Sequence, residues 1–201
     1  MTTLKTLSIS LVAILGTLGV NSMAQAATKS PHSVGVQLAG GGAEYKNSKQ
    51  DGDGAGSIYF HYNYNFSDML ALEVGLNGGG DAEDWKCKDT KDKLVCERQT
   101  NKLFNLAADD FKYGNLVVAA KGQYALTERN SLYGKLGANF YDYEINNGKN
   151  KLASDDGIGL FAEAGWQYQW DNGVAIKAGY QLMNMGDLKV SGTTLGVSYQ
   201  F

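Results

Sequence analysis

The sequence predicts an all-β protein, an eight-stranded antiparallel transmembrane up-and-down β-barrel, and three observations predict it. Apolar side chains recur at every second residue over eight segments of about ten residues, the period of a strand with one apolar face. Tight turns alternate with longer polar connections, the asymmetry of bacterial outer-membrane barrels. The charged residues inside the segments all fall on the face opposite the apolar one. After residue 26 no apolar run of about 18 residues occurs, which excludes transmembrane helices but not transmembrane strands.

Residues 1–26 read as a secretory signal, with Lys5 at the positive end, an apolar stretch from Leu7 to Val20 and Ala24-Gln25-Ala26 fitting the cleavage pattern. No cysteine lies near the cut, so no lipid anchor is expected. Residues 27–201 form the barrel domain. The whole chain of 201 residues carries a formal charge of −3, a balance that does not suggest nucleic acid.

The first strand begins within Ser33–Tyr45, where Val34, Val36 and Leu38 alternate with Gly35, Gln37 and Ala39. After a polar loop at Asn47–Gly54, Ile58, Phe60, Tyr62, Tyr64 and Phe66 alternate with Tyr59, His61, Asn63 and Asn65. Ser67-Asp68 turns the chain into a third strand, with Leu70, Leu72, Val74 and Leu76 opposite Ala71, Glu73, Gly75 and Asn77. Gly78–Tyr113 is the longest irregular region, and 81–113 is expected as a long extracellular loop of mixed charge. The pattern resumes with Leu116, Val118, Ala120 and Tyr124 against Val117, Ala119, Lys121 and Gln123; Thr127–Asn130 turns the chain. Leu132, Leu136, Ala138 and Phe140 then oppose Tyr133, Lys135, Gly137 and Asn139.

A loop is expected over Asn146–Asp156. The sixth strand sets Ile158, Leu160, Ala162, Ala164, Trp166, Tyr168 and Trp170 against Phe161, Glu163, Gly165, Gln167 and Gln169. Asp171-Asn172-Gly173 is a hairpin signal. Val174, Ile176, Ala178, Tyr180 and Leu182 oppose Lys177, Gly179 and Gln181, and Asp187–Val190 leads to the closing strand with Leu195, Val197, Tyr199 and Phe201 on one face. If the first strand runs outward, the even strands finish at the periplasmic rim, where Tyr64, Phe66, Tyr124, Trp166, Tyr168, Trp170, Tyr199 and Phe201 collect as a membrane girdle.

The rival architecture is a secreted lipocalin-like barrel with its apolar face inward. In that barrel the apolar groups would line a ligand cavity and Glu73, Lys121, Lys135, Glu163 and Lys177 would face water; turned the other way, the second face, largely small and polar, makes a poor lining for an apolar ligand. With the apolar face toward lipid, those charges point into the interior and can pair. A single lysine on the lipid side would cost about 2–4 kcal/mol at the bilayer centre. Glu73, Lys135 and Lys177 lie at equal depth from the starts of the odd strands and Lys121 near the same level, which predicts one charged layer nearer the periplasmic side.

The two cysteines, Cys87 and Cys96, lie close together in an exported chain and suggest a disulfide more than a metal pair. A closed loop so short gains about 2–3 kcal/mol, enough to hold a local hairpin. No metal site and no cofactor are expected, because the histidines and cysteines are too few for a zinc set. Enzymatic chemistry is not expected either: His32 lies in the leader, His61 points inward midway along the second strand, and Ser154-Asp155-Asp156 reads as a loop turn. Gly40-Gly41-Gly42 and Gly78-Gly79-Gly80 are not followed by helical patterns and read as strand bends rather than phosphate loops.

The segments Leu132-Tyr133-Gly134-Lys135-Leu136-Gly137, Gly179 to Asp187 and Leu195 to Phe201 resemble the OmpA-like small outer-membrane β-barrel family, the transmembrane domain of OmpA and its OmpX/Ail-type relatives. The resemblance extends more weakly over all eight strands. It implies that Leu195, Val197, Tyr199 and Phe201 form the signal read by the barrel-assembly machinery. It also implies interior acid–base pairing at positions matching Glu73, Lys121, Glu163 and Lys177, with Lys135 beside them. Where the family has arginines in strands five and seven, this chain has Lys135 and Lys177, and an ammonium does not form the bidentate fork of a guanidinium. The family's periplasmic peptidoglycan-binding domain is not matched, so its tethering role is not carried over.

An eight-stranded interior is just wide enough to be filled by side chains, so the Glu/Lys layer is expected as a structural plug. Function is then expected at the surface of a Gram-negative outer membrane, among lipid and lipopolysaccharide, in envelope integrity or in adhesion to a host-surface or phage ligand. Trp85, Leu103, Phe104 and Phe111 are the candidate exposed contacts in the long loop. The alternative is a narrow porin-like diffusion channel, followed by an outer-membrane lipid-modifying enzyme.

Overall fold

The computed structural model describes residues 30–48, 53–81, 85–90, 93–98, 103–106 and 108–201, with the backbone alone at 53, 85–90 and 93–98. The signal segment lies outside the described residues, as does the side chain of Trp85.

Among the described residues ten strands form, β1 (His32–Tyr45), β2 (Asp53–Asn65), β3 (Leu70–Asp81), β4 (Trp85–Thr90), β5 (Lys93–Arg98), β6 (Asp110–Ala125), β7 (Asn130–Asn147), β8 (Asn150–Gln169), β9 (Val174–Met185) and β10 (Leu188–Gln200). Eight close into an antiparallel barrel in the order β1-β10-β9-β8-β7-β6-β3-β2, and β4 and β5 make a separate hairpin. Closure is made by β10 on β1, from Ser33 opposite Gln200 to Tyr45 opposite Leu188. No sheet edge is therefore left within the closed wall, the condition for crossing lipid with strands.

Alternation fixes which side faces in. From Leu70 to Gly78 of β3 the exposure switches at every residue, with Leu70, Leu72, Val74 and Leu76 outside and Ala71, Glu73 and Asn77 inside. All eight barrel strands keep the predicted parity. The outer surface carries Leu38, Phe60, Leu76, Leu136, Ile158, Leu182 and Leu195, an apolar band that only a nonpolar medium accommodates.

One rim carries Pro31, Phe201 and three tight turns, closed by Phe66 N–H to Leu70 O, Leu126 N–H to Asn130 O and Trp170 N–H to Val174 O. Gly173 in the last of these has φ +86, and a Cβ there would meet Gln200 O at 2.2 Å, so the position admits glycine alone. Aromatic pairs ring this terminal rim: Tyr64 with Phe66, Trp166 with Tyr168, Tyr168 with Trp170, and Tyr199 with Phe201. His32, expected in the leader, starts β1 and stacks on Phe201.

The opposite, loop rim departs from expectation in three places. Asn146–Asp156 is not a loop: β7 and β8 run on to Asn147 and Asn150, and Ser154, Asp155 and Asp156 are strand residues. Above Phe161, which still pairs with β9, β8 pairs only with β7, while β6 follows β7 up to Asn146, so β6, β7 and β8 extend the wall together on this side. Second, β9 and β10 are joined by a tight turn at Gly186-Asp187, with Gly186 at φ +61, rather than by a lead-in reaching Val190. Third, the irregular region contains the β4–β5 hairpin, and β6 starts at Asp110 rather than near Leu116. In these segments the polarity of the two faces inverts, with Phe111, Tyr113, Tyr141, Tyr143, Ile145, Met185 and Leu188 inward and Lys112, Asp142, Glu144 and Lys189 outward, since a strand above the bilayer has no lipid side to keep apolar.

Candidate functional site: the charged lumen

The interior is a stack of layers. Along β6, from the loop rim to the terminal rim, the inward residues are Phe111, Tyr113, Asn115, Val117, Ala119, Lys121 and Gln123: aromatic, then amide and aliphatic, then charged, then amide. Neighbouring strands repeat the sequence of layers because their registers are fixed by wall hydrogen bonds.

The charged layer is built around Lys135 on β7. Its Nζ lies 2.9 Å from Glu73 Oε1 and 3.0 Å from Glu163 Oε2, and all three side chains have no exposed surface. It also donates to Gln37 Oε1 at 3.0 Å. Three acceptors around one ammonium match its three diverging donors, a geometry that a planar guanidinium fork does not supply. Lys135 is thus a three-way node joining β1, β3, β7 and β8.

The carboxylates are further held by neutral donors. Tyr59 O–H donates to Glu73 Oε1 at 2.8 Å, while Tyr133 O–H at 2.6 Å, Gln37 Nε2 at 2.8 Å and Thr194 Oγ1 at 3.4 Å reach Glu163 Oε1. The Lys135 ammonium lies 5.5 Å from the ring centroids of both Tyr59 and Tyr133. A buried ion pair survives desolvation only with such supplementary hydrogen bonds.

Lys121 and Lys177 share the layer but not the ion pairs. Lys121 sits opposite Lys135 in the β6–β7 register and donates to Gln167 Oε1 at 3.1 Å. Lys177 approaches His61 Nε2 at 3.2 Å, and His61 stacks on Tyr59. The five charged residues are therefore all brought together, with the two carboxylates both claimed by Lys135. The partners Gln37, Tyr59, Tyr133 and Thr194 were not singled out from the sequence. Their inward parity was visible there, but which strands face each other across an eight-stranded lumen was not.

Above the charges, Asn77 Nδ2 contacts Met183 Sδ at 3.1 Å, and Phe161, Val117 and Asn139 have no appreciable exposure. At the loop rim, Tyr45, Tyr141, Tyr143, Ile145, Met185 and Leu188 form an apolar cluster together with Leu103, Phe104, Ala108 and Phe111. The last group corrects an expectation. Leu103, Phe104 and Phe111 are not surface contacts: they are 5%, 2% and 1% exposed and close the mouth of the barrel. An apolar residue in a polar loop can anchor the loop as readily as serve a partner, and only the tertiary structure separates the two. Phe104 and Asn105 have φ of +58 and +60, a strained turn that seats the Phe104 ring at 5.4 Å from Phe111.

The β4–β5 backbone places Cys87 directly opposite Cys96. Leu195, Val197, Tyr199 and Phe201 all lie on the outer face of the closing strand. Among the described residues no group of three or more His, Cys, Asp or Glu is arranged to hold a metal ion.

A closed antiparallel barrel with an uncharged apolar outer band, an aromatic rim and a charged layer inside its lumen is an integral membrane β-barrel. The family model for the outer membrane protein beta-barrel domain matches residues 12–201, and the chain belongs to that family. Its fold is similar to that of Ail, the attachment invasion locus protein of Yersinia pestis, at 20% identity over 86% of this chain and 99% of that one, with a TM-score of 0.55. Neisserial surface protein A is similar at 16% identity over 87% and 100% of the chains, TM-score 0.62. The N-terminal barrel of Pseudomonas aeruginosa OprF matches at 11% identity over 86% and 99%, TM-score 0.54. No curated protein matches the sequence.

Proposed function

We propose that this protein is a closed outer-membrane barrel that works at the cell surface, in envelope integrity and adhesion, and does not conduct solutes. The observation that carries this reading is the Lys135 node, which spans the lumen from β3 to β8 with no exposed side-chain surface, below a mouth closed by Phe104 and Phe111. Single-channel recording in planar bilayers tests it. The expected result is no stable opening, in the parent protein or in Glu73→Gln; stable currents altered by Glu73→Gln would overturn the plug and favour the porin-like channel.

In this reading the terminal rim faces the periplasm and the loop rim the outside, with lipopolysaccharide around the extended β6–β8 wall. Residues 1–26 are a cleaved signal, checked by sequencing the N-terminus of the membrane-extracted protein. Leu195, Val197, Tyr199 and Phe201 serve the assembly machinery as well as the lipid face. Cys87 and Cys96 form a disulfide that stiffens the β4–β5 hairpin, as their opposed backbone positions support; alkylation with and without reductant tests it.

The β4–β5 hairpin is the contact surface, since the apolar residues after it are used in closing the mouth. Its sequence carries Lys86, Lys88, Lys91, Lys93 and Arg98 against Asp89, Asp92 and Glu97. Ail has been crystallised with the heparin analogue sucrose octasulfate, a precedent in the same fold for an anionic ligand. Replacing 84–100 by a short linker while keeping Leu103 to Phe111 should lower host-cell and heparin binding and leave detergent resistance intact. Unchanged binding would remove the hairpin from the proposal.

A further inference from the structure

Below the charged layer lies a cavity of about 550 Å³, whose mouth is formed by the turns of the terminal rim and whose closed end is formed by Lys121 and Lys177. Both lysines are buried, at 6% and 3% exposure. Three ammonium groups share the lumen with two carboxylates, and Lys135 takes both of these. Among the described residues neither Lys121 nor Lys177 lies within ion-pairing distance of a carboxylate. Like-charged Lys121 and Lys135 are also directly opposed across a strand pair, which is destabilising without a counter-charge.

The cavity wall supplies further donors in an ordered chain. Gln167 Nε2 donates to Gln169 Oε1 at 3.4 Å, Gln169 Nε2 to Gln200 Oε1 at 2.8 Å, and Gln200 Nε2 to Ser30 O at 2.7 Å. Each amide retains a second N–H, and each of the two lysines uses one of its three donors on a neutral partner. The acidic residues of the wall, Asp68 and Glu128, sit in the rim turns rather than at the closed end. The arrangement is a recess with excess positive charge at its base and hydrogen-bond donors along its side.

We propose that Lys121 and Lys177 form the base of a binding site for an oxyanion of the phosphate class, entered from the terminal rim. A bound oxyanion supplies the missing counter-charge to two desolvated ammoniums, where charge-assisted hydrogen bonds are strongest. Several acceptor atoms on one anion suit two ammoniums together with amide donors, which a monatomic halide does not. Under the orientation proposed above the site samples the periplasm; its existence does not depend on whether the barrel conducts.

Inorganic phosphate is the probe. In the full-length barrel, folded in phosphocholine nanodiscs with isotope-labelled lysine, phosphate should shift the Lys121 and Lys177 side-chain signals saturably, and chloride at equal ionic strength should not. Lys121→Gln and Lys177→Gln should each weaken phosphate binding at least tenfold while keeping heat-modifiable migration. Equal shifts with chloride, or variants that bind phosphate as the parent does, overturn the site. Should either variant fail to fold, the parent alone decides: phosphate must slow acylation of Lys121 and Lys177 by a small amine reagent and leave that of Lys189, at the loop rim, unchanged. Acylation indifferent to phosphate overturns the proposal.

Discussion

Replacing Lys135 by methionine removes one cation from between two fully buried carboxylates while conserving most of the side-chain volume. Breaking a buried ion pair by deleting one partner costs about 3–5 kcal/mol, because the remaining charge stays desolvated and uncompensated. Here two carboxylates lose their shared partner at once. The hydrogen bonds from Tyr59, Tyr133 and Gln37 persist and offset part of the loss, since each is a neutral donor to a carboxylate. A destabilisation of about 3 kcal/mol is therefore expected. Urea unfolding of the barrel in lipid vesicles, followed by heat-modifiable migration, measures it. The double variant Lys135→Met/Glu163→Gln should recover a large part of the loss, because it also removes one orphaned charge. A cost below about 1 kcal/mol, the worth of a solvent-screened pair, would refute the view that the node is a dry, load-carrying plug.

Three further outcomes follow from the wall and the mouth. A Cβ on Gly137 would lie 2.1 Å from Val118 O and 2.5 Å from Ala119 Cα, both in or on backbone, so Gly137→Val should cost about 1–3 kcal/mol or block folding; normal folding yield would contradict the close approach of β6 and β7. Leu195→Lys puts an ammonium on the lipid face of the closing strand and should cost about 2–4 kcal/mol, whereas Leu152→Lys, at an exposed position in the loop-rim extension of β8, should cost almost nothing; vesicle-based refolding titrations compare the two. Phe104→Ala empties a nearly fully buried ring site at the mouth and should lower stability by about 3–5 kcal/mol, with faster protease cleavage between 99 and 110; cleavage at the parental rate would mean the segment does not close the barrel.

The wall was legible because it obeys a local rule. A strand between lipid and a polar lumen must alternate, so Leu70 to Asn77 and Leu195 to Phe201 announce both their conformation and their orientation residue by residue. The same parity showed that Glu73, Lys121, Lys135, Glu163 and Lys177 point inward. Above the membrane the rule lapses, which is why the extensions of β7 and β8 through Asp155 and Asp156 read as a loop, and why Leu103, Phe104 and Phe111 read as exposed.

What the sequence determined by itself is the barrel, its strand number and the identity of its buried charges, since these depend on alternation within single strands. What only the tertiary structure decided is the pairing of those charges. Glu73 and Glu163 sit 90 positions apart along the chain, and Lys135 reaches both only because the closed register of β3, β6, β7 and β8 sets them around one point of the lumen. Lys121 and Lys177 are left facing the cavity below by the same registers, for no reason that strand periodicity contains: side chains on one inner face meet across the barrel axis, and that distance is fixed by closure, not by sequence neighbours.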